Sequence, residues 1–248
     1  MRFREVFFLS ATVFVAASAC AQAITGTILI KKRLTKPNVT APVSVYQRGT
    51  AVKLGKDGGE DPIAYERSRV VVYLEGPLPA LDDTPPTTSF QIQQMDRRFV
   101  PDLLVVPVGS TVSFPNMDPI FHNIYSLSRP KSFDLGSYDT GKSRNVLFSK
   151  PGIVEIYCHL HPNMAATVVV TPNRWYARPD PSGQFRIPNV PPGQYTIVAW
   201  HKSAGFFRQS VLVEQGRDPS VEFFIPLDVE QKQEAHKEGA TAGSAGSR

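Results

Sequence analysis

The chain has 248 residues, 42% of them hydrophobic and 20% charged, which excludes a disordered protein and leaves room for one large domain or two small ones. Its formal net charge of +5 favours a mildly acidic partner, and no nucleic-acid partner is expected. Strand formers come in short runs broken by Pro, Gly, Asn and Asp, so the fold class expected is all-β.

Arg2 and Arg4, an apolar run from Val6 to Ala19 and the small-x-small triplet Ala21-Gln22-Ala23 read as an export signal over residues 1–23. The run is shorter than the roughly 18 residues that a spanning helix needs, and no other segment qualifies, so no integral span is expected after cleavage. Lipid attachment at Cys20 is the less favoured alternative, because the usual bulky residue three places earlier is missing. Loss of the leader would leave Cys158 as the one thiol, with no internal disulfide possible. A lone thiol kept in an oxidising compartment, periplasmic or secreted, suggests protection by burial or by a metal.

Beyond the leader, "ITGTILIKKR" from Ile24 and "SRVVVYLEG" from Ser68 read as strands, with an exposed Gly- and charge-rich loop between Gln47 and Glu66. After a Pro-rich connection come "SFQIQQ", "DLLVVPVGSTVSFPN", "HNIYSLS", "SRNVLFSKPGIVEIYC" and "AATVVVTPN", enough short strands for a sandwich. A second β unit, 172–227, carries the turns Asp180-Pro-Ser-Gly183 and Pro191-Pro-Gly193. From Asp228 the apolar content is lost, and 228–248 is expected to be a disordered tail.

The segment "YCHLHPNM", Tyr157 to Met164, holds Cys-x2-His-x2-Met: Cys158, His161 and Met164. A thiolate and a thioether are soft ligands, and with imidazole they suit copper better than a hard cation. A structural zinc site would recruit a further Cys or His in place of the thioether. The sequence "FPNMDPIFHN" supplies a second imidazole, His122. A tight loop between strands, stiffened by Pro162, lets its three donors converge, and His2Cys with a weak axial Met is diagnostic of blue copper.

With these residues, about Phe90 to Thr171 resembles the cupredoxin family of plastocyanin and amicyanin, and the short ligand loop most resembles amicyanin's. The resemblance implies a Greek-key β-sandwich over 81–171, with His122, Cys158 and His161 as equatorial ligands and Met164 as axial ligand of one type 1 copper. It also implies that Asn123 ties the two ligand loops together. That link is in doubt because the position after the cysteine, usually small, is His159. On a strand His159 points away from the face of Cys158, so a surface or packing role is expected for it. Met117 is expected in the core, and packing or surface roles are expected for His201 and His236.

The multicopper enzymes that share this fold need more histidines than the five present, and no Cys-x-x-Cys-His exists for covalent haem. An exported one-electron carrier between redox partner proteins, not an enzyme, is the favoured function. The alternatives are a copper-handling protein, and a cell-surface interaction module with a grafted copper site. "SGQFRIPNVPPGQYTIVAW" resembles the carboxypeptidase regulatory-like, prealbumin-like sandwich, which would make 172–227 a second sandwich. The strands within 24–80 are read with slight preference as the cupredoxin's own; pairing with Gln184 to Ile225 would instead make the cupredoxin an insertion.

Overall fold

The structure is a computed structural model that describes residues 22–35, 61–76 and 89–226. Residues 1–21 of the expected leader, most of the Gln47–Glu66 loop, the 228–248 tail, Cys20 and His236 lie outside the described residues.

Among the described residues the chain runs β1 (Gln22–Leu29), α1 (Pro62–Ser68), β2 (Val70–Glu75), β3 (Phe90–Gln91), β4 (Gln93–Met95), β5 (Arg98–Val100), β6 (Leu103–Pro107), β7 (Ser110–Pro115), β8 (His122–Ser128) and β9 (Lys131–Tyr138). It continues through β10 (Ser143–Phe148), β11 (Gly152–Tyr157), β12 (Ala165–Thr171), β13 (Tyr176–Ala177), β14 (Gln184–Val190), β15 (Gly193–His201), β16 (Gly205–Val213) and β17 (Ser220–Phe224). The all-β expectation of two sandwiches holds. Gln22 and Ala23, read above as the end of the leader, open β1.

One sandwich packs the sheet β14-β1-β17 on the sheet β13-β2-β15-β16, around Ile24, Ile28, Leu74, Ile197 and Phe223. The other packs β6-β12-β11-β8-β9 on β10-β7-β3, with the hairpin β4-β5 at one end, around Phe114, Ile124, Phe148, Ile156 and Val168. β1 pairs with β14 and β17, and β2 with β13 and β15, so the early strands belong to the sandwich that closes at the end of the chain. The slight preference for assigning them to the cupredoxin-like sandwich is thereby corrected: that sandwich is inserted between β2 and β13. A strand's own residues set its faces but not its neighbour. Gly26 carries the specific signal, because a Cβ there would lie 2.3 Å from the Val221 carbonyl oxygen of β17 and 2.5 Å from the Phe185 ring of β14.

The inner sheets of the two sandwiches also face each other. Along β2, Val70, Val72 and Leu74 point into one core while Val71 and Tyr73 point out of it. Along β12, Ala166, Val168 and Val170 point into the other core while Val169 points out. The outward residues meet: Val71, Tyr73, Val198 and Trp200 pack on Leu103, Val105 and Val169 as a third apolar layer. Burial on both faces explains why these strands read as unbroken apolar runs without alternation. At the edge of this layer Arg69 bonds Asp102 at 2.6 Å, and Lys202 bonds Thr167 at 2.7 Å and Glu155 at 3.2 Å.

The end of the expected Gln47–Glu66 loop is helical. Pro62 opens α1 and the Asp61 carboxylate accepts the N–H of Ile63 at 3.0 Å, a good start for so short a helix. Its one buried residue is Glu66. That carboxylate accepts the N–H groups of Leu34 and Thr35 and the Thr35 hydroxyl, and Nε2–H of His201 donates to it at 3.0 Å. Nδ1 of His201 accepts the N–H of Ser203, so a neutral ring has both nitrogens satisfied. Burial raises the Glu66 carboxyl, but the bonds from Thr35 and Leu34 outweigh it and hold it below its usual range. Burial lowers His201 below its own, against the pull of Glu66.

Both groups have depressed values in the folded chain, so the unfolded chain takes up their protons first on acidification. Stability is then expected to fall below about pH 6.5 through His201, and further below about pH 4.3 through Glu66. His201→Ala should cost about 1–3 kcal/mol, because Glu66 loses one of its four donors. Between about pH 7 and 5 it should also flatten the dependence of melting temperature on pH in the copper-free protein; an unchanged slope would contradict the depression of His201 by burial.

Candidate metal centre

β8 and β11 are neighbours in one sheet, with Tyr125 opposite Tyr157, so the start of β8 and the end of β11 lie at the same end of the sandwich. His122 is the first residue of β8 and fully buried; Cys158 follows β11 directly and is also buried. The chain turns through His159 to Asn163 and re-enters the sheet at β12, and the N–H of Met164 closes the turn on the His161 carbonyl at 2.9 Å. Met164 is buried in the same core as Cys158.

Three donor atoms converge here. Nδ1 of His122 lies 3.1 Å from Nδ1 of His161, and Cys158 Sγ lies 3.9 Å from the first and 3.7 Å from the second. With bonds of about 2.0 Å to nitrogen and about 2.3 Å to sulfur, one ion can hold all three at such separations. Among the described residues this is the group of three His, Cys or carboxylate donors that could hold a metal. A thiolate with two imidazoles and a thioether in the closing loop fits copper.

The fully buried histidines His122 and His201 are backed alike and fronted differently. Nε2–H of His122 donates to the Asp118 carboxylate at 2.7 Å, as Nε2–H of His201 donates to Glu66. The Nδ1 of His201 is spent on a backbone N–H, whereas the Nδ1 of His122 is aimed at Cys158 and His161. Burial raises the Asp118 carboxyl, but the Arg97 N–H, His122 and the Asp96 N–H more than offset this and hold it low. Burial, then His122 and Arg97, lower His161, which favours the neutral imidazole that a metal requires.

The remaining residues are placed as follows. Nδ2 of Asn123 donates to Asp134 at 2.7 Å, and the other Asp134 oxygen lies 3.6 Å from Nε2 of His159. The side chain of Asn123 thus bonds Asp134 in place of the Cys158–Met164 loop, and its Oδ1 has no hydrogen-bond partner among the described residues. His159 is exposed and lies flat on Tyr125, ring centroids 3.7 Å apart at 3°. Met117 is 55% exposed, which corrects its expected place in the core: Asn116 takes the inward position, bonding Ile120 and Tyr138 carbonyls. Asp118, Asp134 and Tyr125 were not singled out from sequence; the one signal for Asp118 was an acid four residues before a ligand histidine.

A family model described as "Polysaccharide lyase family 4, domain II" matches residues 167–221, from β12 into β17. That match does not support the carboxypeptidase regulatory-like resemblance read from the same segment. No curated protein matches the chain. Among solved structures it is similar to a copper-containing nitrite reductase from Thermus scotoductus SA-01, at 26% identity and TM-score 0.32, over 34% of this chain and 22% of that one. The chain thus spans only a fifth or so of the reductase. It is similar to a purple cupredoxin from Nitrosopumilus maritimus at 29% identity and TM-score 0.30, over 33% of this chain and 99% of the other. A variant of amicyanin in its Cu(I) form aligns at 18% identity and TM-score 0.32, over 40% of this chain and 97% of amicyanin.

Copper that binds the assembled site should raise the melting temperature, by about 2.7 kcal/mol of stabilisation at one hundred times its dissociation constant. His122→Ala should abolish most of that gain. His201→Ala, though less stable from the start, should keep it; equal losses in the two variants would mean that His122 does not bind the metal.

Proposed function

We propose that the chain is an exported type 1 copper protein that passes single electrons between redox partner proteins and catalyses no reaction of its own. The convergence of His122 Nδ1, from the start of β8, with Cys158 Sγ and His161 Nδ1, from the loop between β11 and β12, carries this reading. Bound copper would supply a one-electron couple between Cu(I) and Cu(II). His122, Cys158 and His161 would hold it, with Met164 as a weak axial donor. Because β8, β11 and β12 are hydrogen-bonded neighbours or next neighbours in one sheet, the donors keep their spacing in either oxidation state, and little has to reorganise on transfer.

His161 is only partly buried, whereas His122 and Cys158 are enclosed, so electrons would enter and leave by way of His161. Around it the ligand loops expose Met117, Phe121 and Leu160, each more than half exposed, an apolar surface suited to brief contact with a partner. The basic, apolar and small-x-small features of 1–23 support export.

The visible and electron paramagnetic resonance spectra of the Cu(II)-loaded chain test the reading. An intense thiolate-to-copper charge-transfer band that colours the protein blue, with narrow copper hyperfine splitting, is expected, and Cys158→Ser should remove it while the sandwich stays folded. A colourless Cu(II) form would rule the reading out.

The axial donor offers a second test. A thioether favours Cu(I) relative to a harder amide oxygen. Met164→Gln should therefore lower the reduction potential and Met164→Leu raise it, both variants keeping the thiolate band. Equal potentials across the pair would exclude Met164 as the axial ligand.

A further inference from the structure

We propose that Asp118 is a positioning residue that commits His122 to binding the metal through Nδ1 and, by its charge, biases the bound copper toward Cu(II). The inference rests on the copper-site reading and adds a residue that touches no metal.

Asp118 is 5% exposed, and its carboxylate is fully engaged. Oδ1 accepts the Asp96 N–H at 2.7 Å; Oδ2 accepts the Arg97 N–H at 2.9 Å and Nε2–H of His122 at 2.7 Å. Its own N–H donates to Asn116 Oδ1 at 3.0 Å, and Asn116 is pinned by its bonds to the Ile120 and Tyr138 carbonyls. The carboxylate therefore cannot swing away from the ring. An ionised carboxylate only accepts, so His122 must carry its proton on Nε2 and present a lone pair at Nδ1, the nitrogen that faces Cys158 and His161.

The two N–H donors come from one tight turn. Asp96 and Arg97 have φ of 54° and 55°, a consecutive left-handed pair that directs both N–H groups into the fold while their side chains stay exposed. The β4-β5 hairpin is thus a clamp on Asp118, and through it on His122. A negative charge held behind the imidazole makes that ring a stronger donor, and it favours the more highly charged of two copper states. A backbone carbonyl in the same place would orient the ring without supplying this charge.

Asp118→Asn, which keeps an oxygen acceptor for His122 and removes the charge, separates orientation from electrostatics. In the copper-loaded full chain the variant should retain the thiolate band and shift the Cu(II)-to-Cu(I) affinity ratio at least tenfold toward Cu(I). By voltammetry that is a rise of about 59 mV or more for a one-electron couple. A folded, coloured variant with an unchanged or lowered potential overturns the proposal. If the variant fails to fold or to take up copper, nitrogen-15 spectra of the wild-type imidazoles in the copper-free protein decide. A proton on Nε2 of His122 supports the proposal, and a proton on Nδ1 overturns it. This last readout does not depend on colour or electron transfer, so failure of the carrier reading and failure of this one remain distinguishable.

Discussion

The dry contact between the two inner sheets governs the rest of the molecule. Val71, Tyr73, Val198 and Trp200 on one side and Leu103, Val105 and Val169 on the other leave water together, each apolar Å² contributing about 25 cal/mol. Because every second residue on these strands already faces a sandwich core, β2, β15, β6 and β12 are buried on both faces. β12 begins directly after Met164, and its neighbour β11 ends directly before Cys158. The ligand loop is therefore short, and the strand that receives it, β12, is buried on both faces. The donors inherit their fixed spacing from that stack.

Near this frame the same chemical device appears twice with opposite outcomes. Glu66 and Asp118 are both buried, both accept backbone N–H groups, and both take Nε2–H of a buried histidine. What separates the two histidines is the partner of the other nitrogen. Ser203 closes His201 into the backbone, while His122 faces a thiol and a second imidazole.

Much of this was legible in the chain. The order of His122, Cys158, His161 and Met164 at strand ends is a local pattern, because three of the four sit in one loop. Strand existence was legible wherever one face is apolar. β9 was missed because Lys131–Tyr138 exposes alternate residues and carries Asp134 and Gly136, which read as a loop. α1 was missed because a seven-residue helix with a single buried side chain has no apolar period. The partner of β1 was not legible, since pairing across almost the whole chain leaves no local trace apart from the space denied to a side chain at Gly26. Asp118 and Asp134 were hidden for a related reason: an acid's role depends on which donors the fold brings to it.

The insertion also imposes an order of assembly. β1 pairs with β17, the Ala23 N–H donates to Asp218 just before that strand, 195 positions away, and Asn173 returns to bond the Leu74 carbonyl beside the point where the chain left. A chain that emerges from its N-terminus first has the whole cupredoxin-like body available before β14 to β17 exist, while β1 and β2 wait without their partners. The inserted body is thus the early, low-separation folding unit, and the outer sandwich is the late one that packs against it. Until that closure, the faces of β6 and β12 that carry Leu103, Val105 and Val169 stand open to water. The nascent protein therefore exposes an apolar face on the inserted body until β15 arrives beside β2 to cover it.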